Sequence, residues 1–231
     1  QVLKSTFPPP GFDSPNRPPI HATLIGAGAV GSYVVQAATR YGNQALAQEL
    51  IEKNIPGVIL TTVDRDITSH AALMQNILAN TDILIDATQR PQTDQPVIPN
   101  QWIEKMPRHS VIIDLSVDPY DCADKTRSVK AIEGIPQGNL DQYIFAPDDP
   151  AFDRIPQCVN STNRRYTVSC YSWPGIHPKE CMAIYGDQIR PLIRNISECG
   201  GIKNIHPDGY YFHRAISRAM LSRWPTPPDT P

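Results

Sequence analysis

Residues 22–31 read Ala22-Thr23-Leu24-Ile25-Gly26-Ala27-Gly28-Ala29-Val30-Gly31. A short apolar run opens into G-x-G-x-x-G. The residues from Val30 to Ala38 then continue with Tyr33, Val34, Ala37 and Ala38 at helical spacing. Strand, glycine turn and helix, in that order, form the context in which a dinucleotide pyrophosphate rests on a helix N-terminus. Gly26 permits the tight turn, Gly28 lets backbone N–H groups approach the phosphates, and Gly31 lets the helix lie close to the sheet. Gly26, Ala27, Gly28, Ala29, Val30 and Gly31 are therefore the candidate pyrophosphate-binding residues.

Working outward, the chain alternates between the two periodicities. A second helical piece is predicted over Gln44–Glu52, closed by Pro56-Gly57. The β-branched run Val58–Val63 reads as a buried parallel strand. Thr68 or Ser69 is placed to cap a helix through Leu73, Ile77 and Leu78. Strands are predicted over Asp82–Ala87, Ser110–Val117 and Tyr166–Tyr171, with a short helix near Asn100–Lys105. The stretch from Pro119 to Asn163 reads mostly as loop. An amphipathic helix follows over Lys179–Ile196, with Met182, Ile189, Leu192, Ile193 and Ile196 on one face and Pro191 predicting a kink or break. A last helix is expected from Tyr210 to Arg223. Strands alternating with helices predict an α/β, Rossmann-type, doubly wound parallel sheet with helices on both faces. Its ligand side lies at the strands' carboxyl ends.

Ten of the 24 prolines fall in two tails, six between Pro8 and Pro19 and four between Pro225 and Pro231. Proline lacks the N–H that a ladder needs. The chain is thus expected to divide into a proline-rich arm at 1–19, a folded domain at 20–224 and a proline-rich tail at 225–231. Its start at Gln1 reads as a piece trimmed or excised from something longer. With 40% hydrophobic and 19% charged residues and a formal net charge of -2, the 231-residue chain has an ordinary globular profile. That balance gives no electrostatic case for nucleic acid or an anionic membrane. No run approaches the length of a transmembrane helix. Cys122, Cys158, Cys170, Cys181 and Cys199 contain no C-x-x-C pair and are odd in number, which reads as reduced thiols in a cytoplasmic protein. No metal site is expected.

Further positions carry candidate chemistry. Asp64 ends the second strand, where a carboxylate accepts hydrogen bonds from ribose hydroxyls. An Asp there repels a 2′-phosphate and favours NAD over NADP, while Arg65 beside it can pair with a phosphate. Capping of the next turn is the structural alternative for Asp64. Ala87, Thr88 and Gln89 follow the third strand and would wall the cleft. Asp114 and Asp118 bracket the fourth strand; Asp114 reads as a structural carboxylate. Asp118 lies on the ligand side, as a contact for nicotinamide or substrate or as a cap of the loop before Pro119.

Four stretches together resemble the NAD-binding, C-terminal domain of the alanine dehydrogenase and pyridine nucleotide transhydrogenase family. They are GAGAVG, DILIDATQRPQTDQPVIPNQWIEKMP, SVIIDLSVDPYD and SCYSWPGIHPKECMAIYGDQI. The resemblance implies that Leu115 and Ser116 line the nicotinamide end and that Asp118 is the catalytic carboxylate near nicotinamide and substrate. The family's glycine pair after that aspartate is Pro119-Tyr120 here. The resemblance also implies a substrate-binding domain on another segment or chain, which this chain lacks, and allows a homo-oligomer.

The leading expectation is thus the NAD(H)-binding part of an amino-acid dehydrogenase-like oxidoreductase. A non-catalytic dinucleotide-sensing or interaction domain is the alternative. A methyltransferase, which also uses a glycine-rich turn, ranks third, because the match continues beyond the first βαβ unit.

Overall fold

The computed structural model describes residues 19–40, 57–116, 118–123 and 126–220. The arm before Pro19, the expected Gln44–Glu52 helix and the tail at 225–231 lie outside them. The chain divides into two compact units, one up to Trp173 and one from Pro174.

The first unit is built on one six-stranded sheet. Its strands are β1 (Ile20–Ile25), β2 (Val58–Val63), β3 (Ile83–Asp86), β4 (Val111–Asp114), β7 (Ile144–Phe145) and β8 (Tyr166–Ser169). They lie in the order β2-β1-β3-β4-β8-β7. The first five strands in that order are parallel, and β7 pairs antiparallel with β8. A separate hairpin joins β5 (Asp121–Ala123) and β6 (Thr126–Ser128). This is the Rossmann-type α/β sheet expected from the sequence.

Both faces of the central strands are buried, which is why β1, β3 and β4 read as continuous apolar runs. Leu24, Ile83 and Ile85 pack with Val34 and Val35 of helix α1 (Ala29–Arg40) on one face. On the other face, Ile25, Leu84 and Ile112 pack with Met74 and Leu78 of α3 (Ala71–Ala79) and Ile103 of α4 (Asn100–Ile103). β2 departs from expectation. It occupies the sheet edge and alternates in exposure, with Ile59 46% exposed, so its β-branched run marks an edge strand, not a buried one.

The expected cap also moves. Asp64 Oδ1 accepts from Asp66 N at 3.2 Å and caps a one-turn helix, α2 (Arg65–Thr68). Thr68 and Ser69 end that turn, and α3 starts afterwards at Ala71 with no side-chain cap.

Side-chain hubs hold the irregular stretch between β4 and β8. Asn100 is fully buried, and its amide donates to Glu133 O (3.2 Å) and Asn163 O (3.0 Å). Its carbonyl oxygen accepts from Asn163 N (2.9 Å), and its backbone N donates to the Glu133 carboxylate (2.8 Å). The cysteine reading needs correction: Cys122 and Cys158 form a disulfide, while Cys170, Cys181 and Cys199 are free. The pair is 36 residues apart, and folding of the stretch between them brings the two together, which spacing alone does not show.

After a single turn, α5 (Trp173–Ile176), come α6 (Pro178–Glu198) and α7 (Tyr211–Ala219), which the second unit holds. Helix α6 runs unbroken through Pro191. Of its predicted apolar face, Met182, Ile189 and Ile193 are exposed. Among the described residues no helix is long and apolar enough to cross a membrane.

Candidate dinucleotide cleft

The parallel register aligns the carboxyl ends of the strands in one row. Val63, Ile25, Asp86, Asp114 and Ser169 are successive cross-strand neighbours. The row one residue further on therefore contains Asp64, Gly26, Ala87 and Leu115. Ladder hydrogen bonds continue into it, from Gly26 N to Val63 O, Ala87 N to Ile25 O and Leu115 N to Asp86 O. β2 lies on one side of β1 and β3 on the other, so the chain direction across the sheet reverses at β1. Open α/β sheets bind ligands at such a reversal.

The glycines differ in what they do. Gly26 adopts φ +85°, and a Cβ there would meet Ala87 O at 2.8 Å. A side chain at Gly31 would run into the carbonyl oxygen of Gly26, so Gly31 is needed for helix-to-turn packing. A Cβ at Gly28 would meet nothing within 4 Å. The space over Gly28 is open, which fits the approach of a phosphate to bare backbone. Helix α1 has no acidic residue in its first turn. Its unpartnered N–H groups and positive dipole end keep their attraction for an anion.

Two cavities flank this turn. One of about 430 Å³ is lined by Gly28, Ala29, Val30 and Leu115. The other, of about 220 Å³, is lined by Ala27, Asp64, Arg65 and Arg90. Gly26, Thr88 and Gln89 line both, and Ala87 lines the first. The fold thus gathers Gly26, Ala27, Gly28, Ala29, Val30, Asp64, Arg65, Ala87, Thr88, Gln89 and Leu115 around one cleft. Gly31 supports the turn from behind.

Two predicted residues sit differently. Ser116 is 9% exposed and faces the interior, within 2.9 Å of both Asp86 Oδ2 and Asp114 Oδ1. Asp118 is engaged in an ion pair, with Arg90 Nη2 donating to its Oδ2 at 2.6 Å. Arg90 also donates to Gln95 O (2.6 Å) and Val129 O (2.5 Å). One guanidinium thereby ties the loop after β3 to the turn after β4. Its Nε is buried without a partner.

Beneath the cleft lies a charged cluster that sequence reasoning did not assemble. Lys130 is fully buried, and its Nζ is 2.7 Å from Asp114 Oδ2. Asp114 Oδ2 also accepts from Ser169 Oγ at 2.9 Å. Asp86 Oδ1 accepts from Thr88 N (2.9 Å) and Thr88 Oγ1 (2.8 Å). Burial raises the Asp86 carboxyl above its ordinary range, and Asp114 beside it pushes the same way. Burial likewise raises the phenol of Tyr120, whose hydroxyl donates to Ile135 O at 2.9 Å. In the sequence, Asp114 reads as a structural carboxylate, and nothing singles out Asp86 within the predicted Asp82–Ala87 strand. Lys130, the partner of Asp114, sits in an irregular segment with no motif to mark it.

The family model for "Alanine dehydrogenase/PNT, C-terminal domain" matches residues 12–135, more than half of the chain. The chain belongs to that family. This alanine dehydrogenase/PNT-type domain is thereby placed in an oxidoreductase family with a Rossmann-type nucleotide-binding fold. An L-alanine dehydrogenase structure matches 90% of the chain at 18% identity and a TM-score of 0.54. At that identity the likeness is one of fold. The domain spans 52% of that dehydrogenase's length. A D-lactate dehydrogenase from Salmonella matches 42% of this chain and 27% of its own, at 15% identity and a TM-score of 0.27. No curated protein matches the sequence.

Proposed function

We propose that this chain is the dinucleotide-binding part of an amino-acid dehydrogenase-like oxidoreductase, with NAD preferred to NADP and the substrate held by a domain outside this chain. The observation that carries it is the open space over Gly28, at the helix end where the direction across the sheet reverses. The N–H groups opening α1 would receive the pyrophosphate. Asp64 has one oxygen on the Asp66 N–H, and a carboxylate has a second oxygen to accept from a ribose hydroxyl. Arg65 lines the same cavity and would temper the preference against a 2′-phosphate. Ala87, Thr88 and Gln89 would form the wall, with Leu115 and the turn at Ser116 beside the nicotinamide. The bound nicotinamide would supply hydride transfer, as cofactors do in such enzymes. Asp118 would orient an amine or a water at that end, held in place by Arg90.

The Arg90–Asp118 pair favours a second reading. A carboxylate already neutralised by a mostly buried arginine suits a non-catalytic, dinucleotide-sensing domain. Fluorescence titration of the chain with NADH and NADPH tests what both readings share. Saturable NADH binding, weaker for NADPH, is expected; no saturable binding of either would sink both. Hydride exchange between NADH and an oxidised nicotinamide analogue, with the remainder of the enzyme supplied, separates them.

A further inference from the structure

The polar atoms under the turn after β4 need one proton more than their usual ionisation supplies. Ser116 Oγ lies 2.9 Å from Asp86 Oδ2 and 2.9 Å from Asp114 Oδ1. A hydroxyl has one proton to donate. Were both carboxyls ionised, one of those contacts would set lone pair against lone pair, at sites where Asp86 and Asp114 are fully buried. A buried contact of that kind is costly in low-dielectric surroundings. A second proton therefore sits among the three side chains.

Its seat follows from the remaining partners. Asp114 Oδ2 receives the Lys130 ammonium at 2.7 Å and the Ser169 hydroxyl at 2.9 Å, so a negative charge there is compensated. Asp86 has neutral donors, both on Oδ1 and both from Thr88. The proton belongs on Asp86 Oδ2, which donates to Ser116 Oγ, and Ser116 donates onward to Asp114 Oδ1. Burial of Asp86 acts in the same direction. The charged group facing it is Asp114 from β4, whose own counter-charge is Lys130 from the segment after β6, with Lys130 Nζ 6.0 Å from the centre of the Tyr120 ring. β1 presents Ile25 alongside, and β8 presents Ser169.

We propose that Asp86 is a positioning residue kept as the neutral acid, joining the cofactor wall at Thr88 to the nicotinamide-side turn at Ser116. Its effect on cofactor binding rests on the dinucleotide reading above; the proton inventory does not. Below the ordinary carboxyl range the stabilisation is complete. It is lost as the pH climbs toward the raised value of the folded state, because only the folded chain holds the proton there.

The experiment uses the full chain, wild type and Asp86→Asn, in chemical denaturation across a pH series. One proton changes the folding equilibrium by at most about tenfold per pH unit. The wild-type equilibrium is expected to fall relative to Asp86→Asn as pH rises above the ordinary carboxyl range. An asparagine amide can donate to Ser116 and still accept from Thr88, so Asp86→Asn should remain folded while Asp86→Ala is weakened. An identical pH slope in wild type and Asp86→Asn, or equal damage by Asn and Ala, overturns the proposal. Carbon-13 labelling of aspartate in the wild-type chain gives a readout that needs no variant. A carboxyl resonance that stays protonated above the ordinary carboxyl range is expected, and its absence overturns the proposal. NADH titration of the same samples should show affinity falling with pH for wild type only. If NADH fails to bind while the slope difference and the resonance are present, the dinucleotide reading fails and the proton assignment stands.

Discussion

Replacing Gly28 with alanine should strengthen the fold and weaken the ligand, a combination few substitutions give. A Cβ at this position meets no protein atom within 4 Å, and Gly28 is not among the glycines with positive φ. Alanine can therefore adopt the native backbone there. Removing glycine's extra freedom in the unfolded chain stabilises by about 0.4–1 kcal/mol. For a chain of this size that is roughly 1–4 °C in Tm. The same methyl would occupy the space assigned to the pyrophosphate. Forcing a group of that size into a packed contact costs about 1–3 kcal/mol. In affinity that is about 5- to 150-fold. Differential scanning fluorimetry without ligand and NADH fluorescence titration measure the two halves separately. Unchanged NADH affinity in a folded Gly28→Ala chain would refute the reasoning, because the phosphates could then not approach this backbone.

Three other substitutions probe neighbouring parts. Gly31→Ala should do the reverse of Gly28→Ala, costing about 1–3 kcal/mol of stability because its methyl has only the Gly26 carbonyl to push against; urea unfolding at wild-type midpoint would contradict this. Lys130→Met should cost about 3–5 kcal/mol, since it strands the fully buried Asp114 without its counter-charge. A urea midpoint within error of wild type would show that the pair is not formed. Asp64→Ala should lose a cap worth about 0.5–2 kcal/mol. It should also weaken NADH more than NADPH, by an amount typical of a charged hydrogen bond, about 1.5–3 kcal/mol. Equal losses for the two dinucleotides would remove Asp64 from the ribose.

The parts of the fold visible in the sequence are those where a local pattern and its surroundings agree. β1, β3 and β4 are apolar on both faces because both faces are covered, and the glycine turn declares its own backbone. β2 shows how the same pattern misleads. Val58–Val63 is as β-branched as a central strand, yet its place at the sheet edge is set by strand order, which no local window contains. The cleft was legible in part for the same reason as the strands, since Asp64, Gly26 and Ala87 each close or follow a strand; Leu115, inside the predicted Ser110–Val117 strand, entered through the family resemblance, and the register lines up all four. Ser116 was legible as a position but not in its orientation toward Asp86 and Asp114. Arg90 and Lys130 were hidden because their partners lie 28 and 16 residues away. The disulfide was hidden likewise, its two halves joined only by the path of an irregular chain.

Asn100 has a consequence for anyone exchanging parts of this domain with a relative. Its amide and backbone are bonded to residues 33 and 63 positions later, Glu133 and Asn163, so the irregular stretch is keyed to a side chain that lies outside it. A graft of residues 115–165 alone into a host without an asparagine at the matching position would carry Glu133 and Asn163 away from their amide, leaving several half-buried donors and acceptors without partners at once. The portable unit begins at Asn100, and a chimera cut there inherits its lock together with its key.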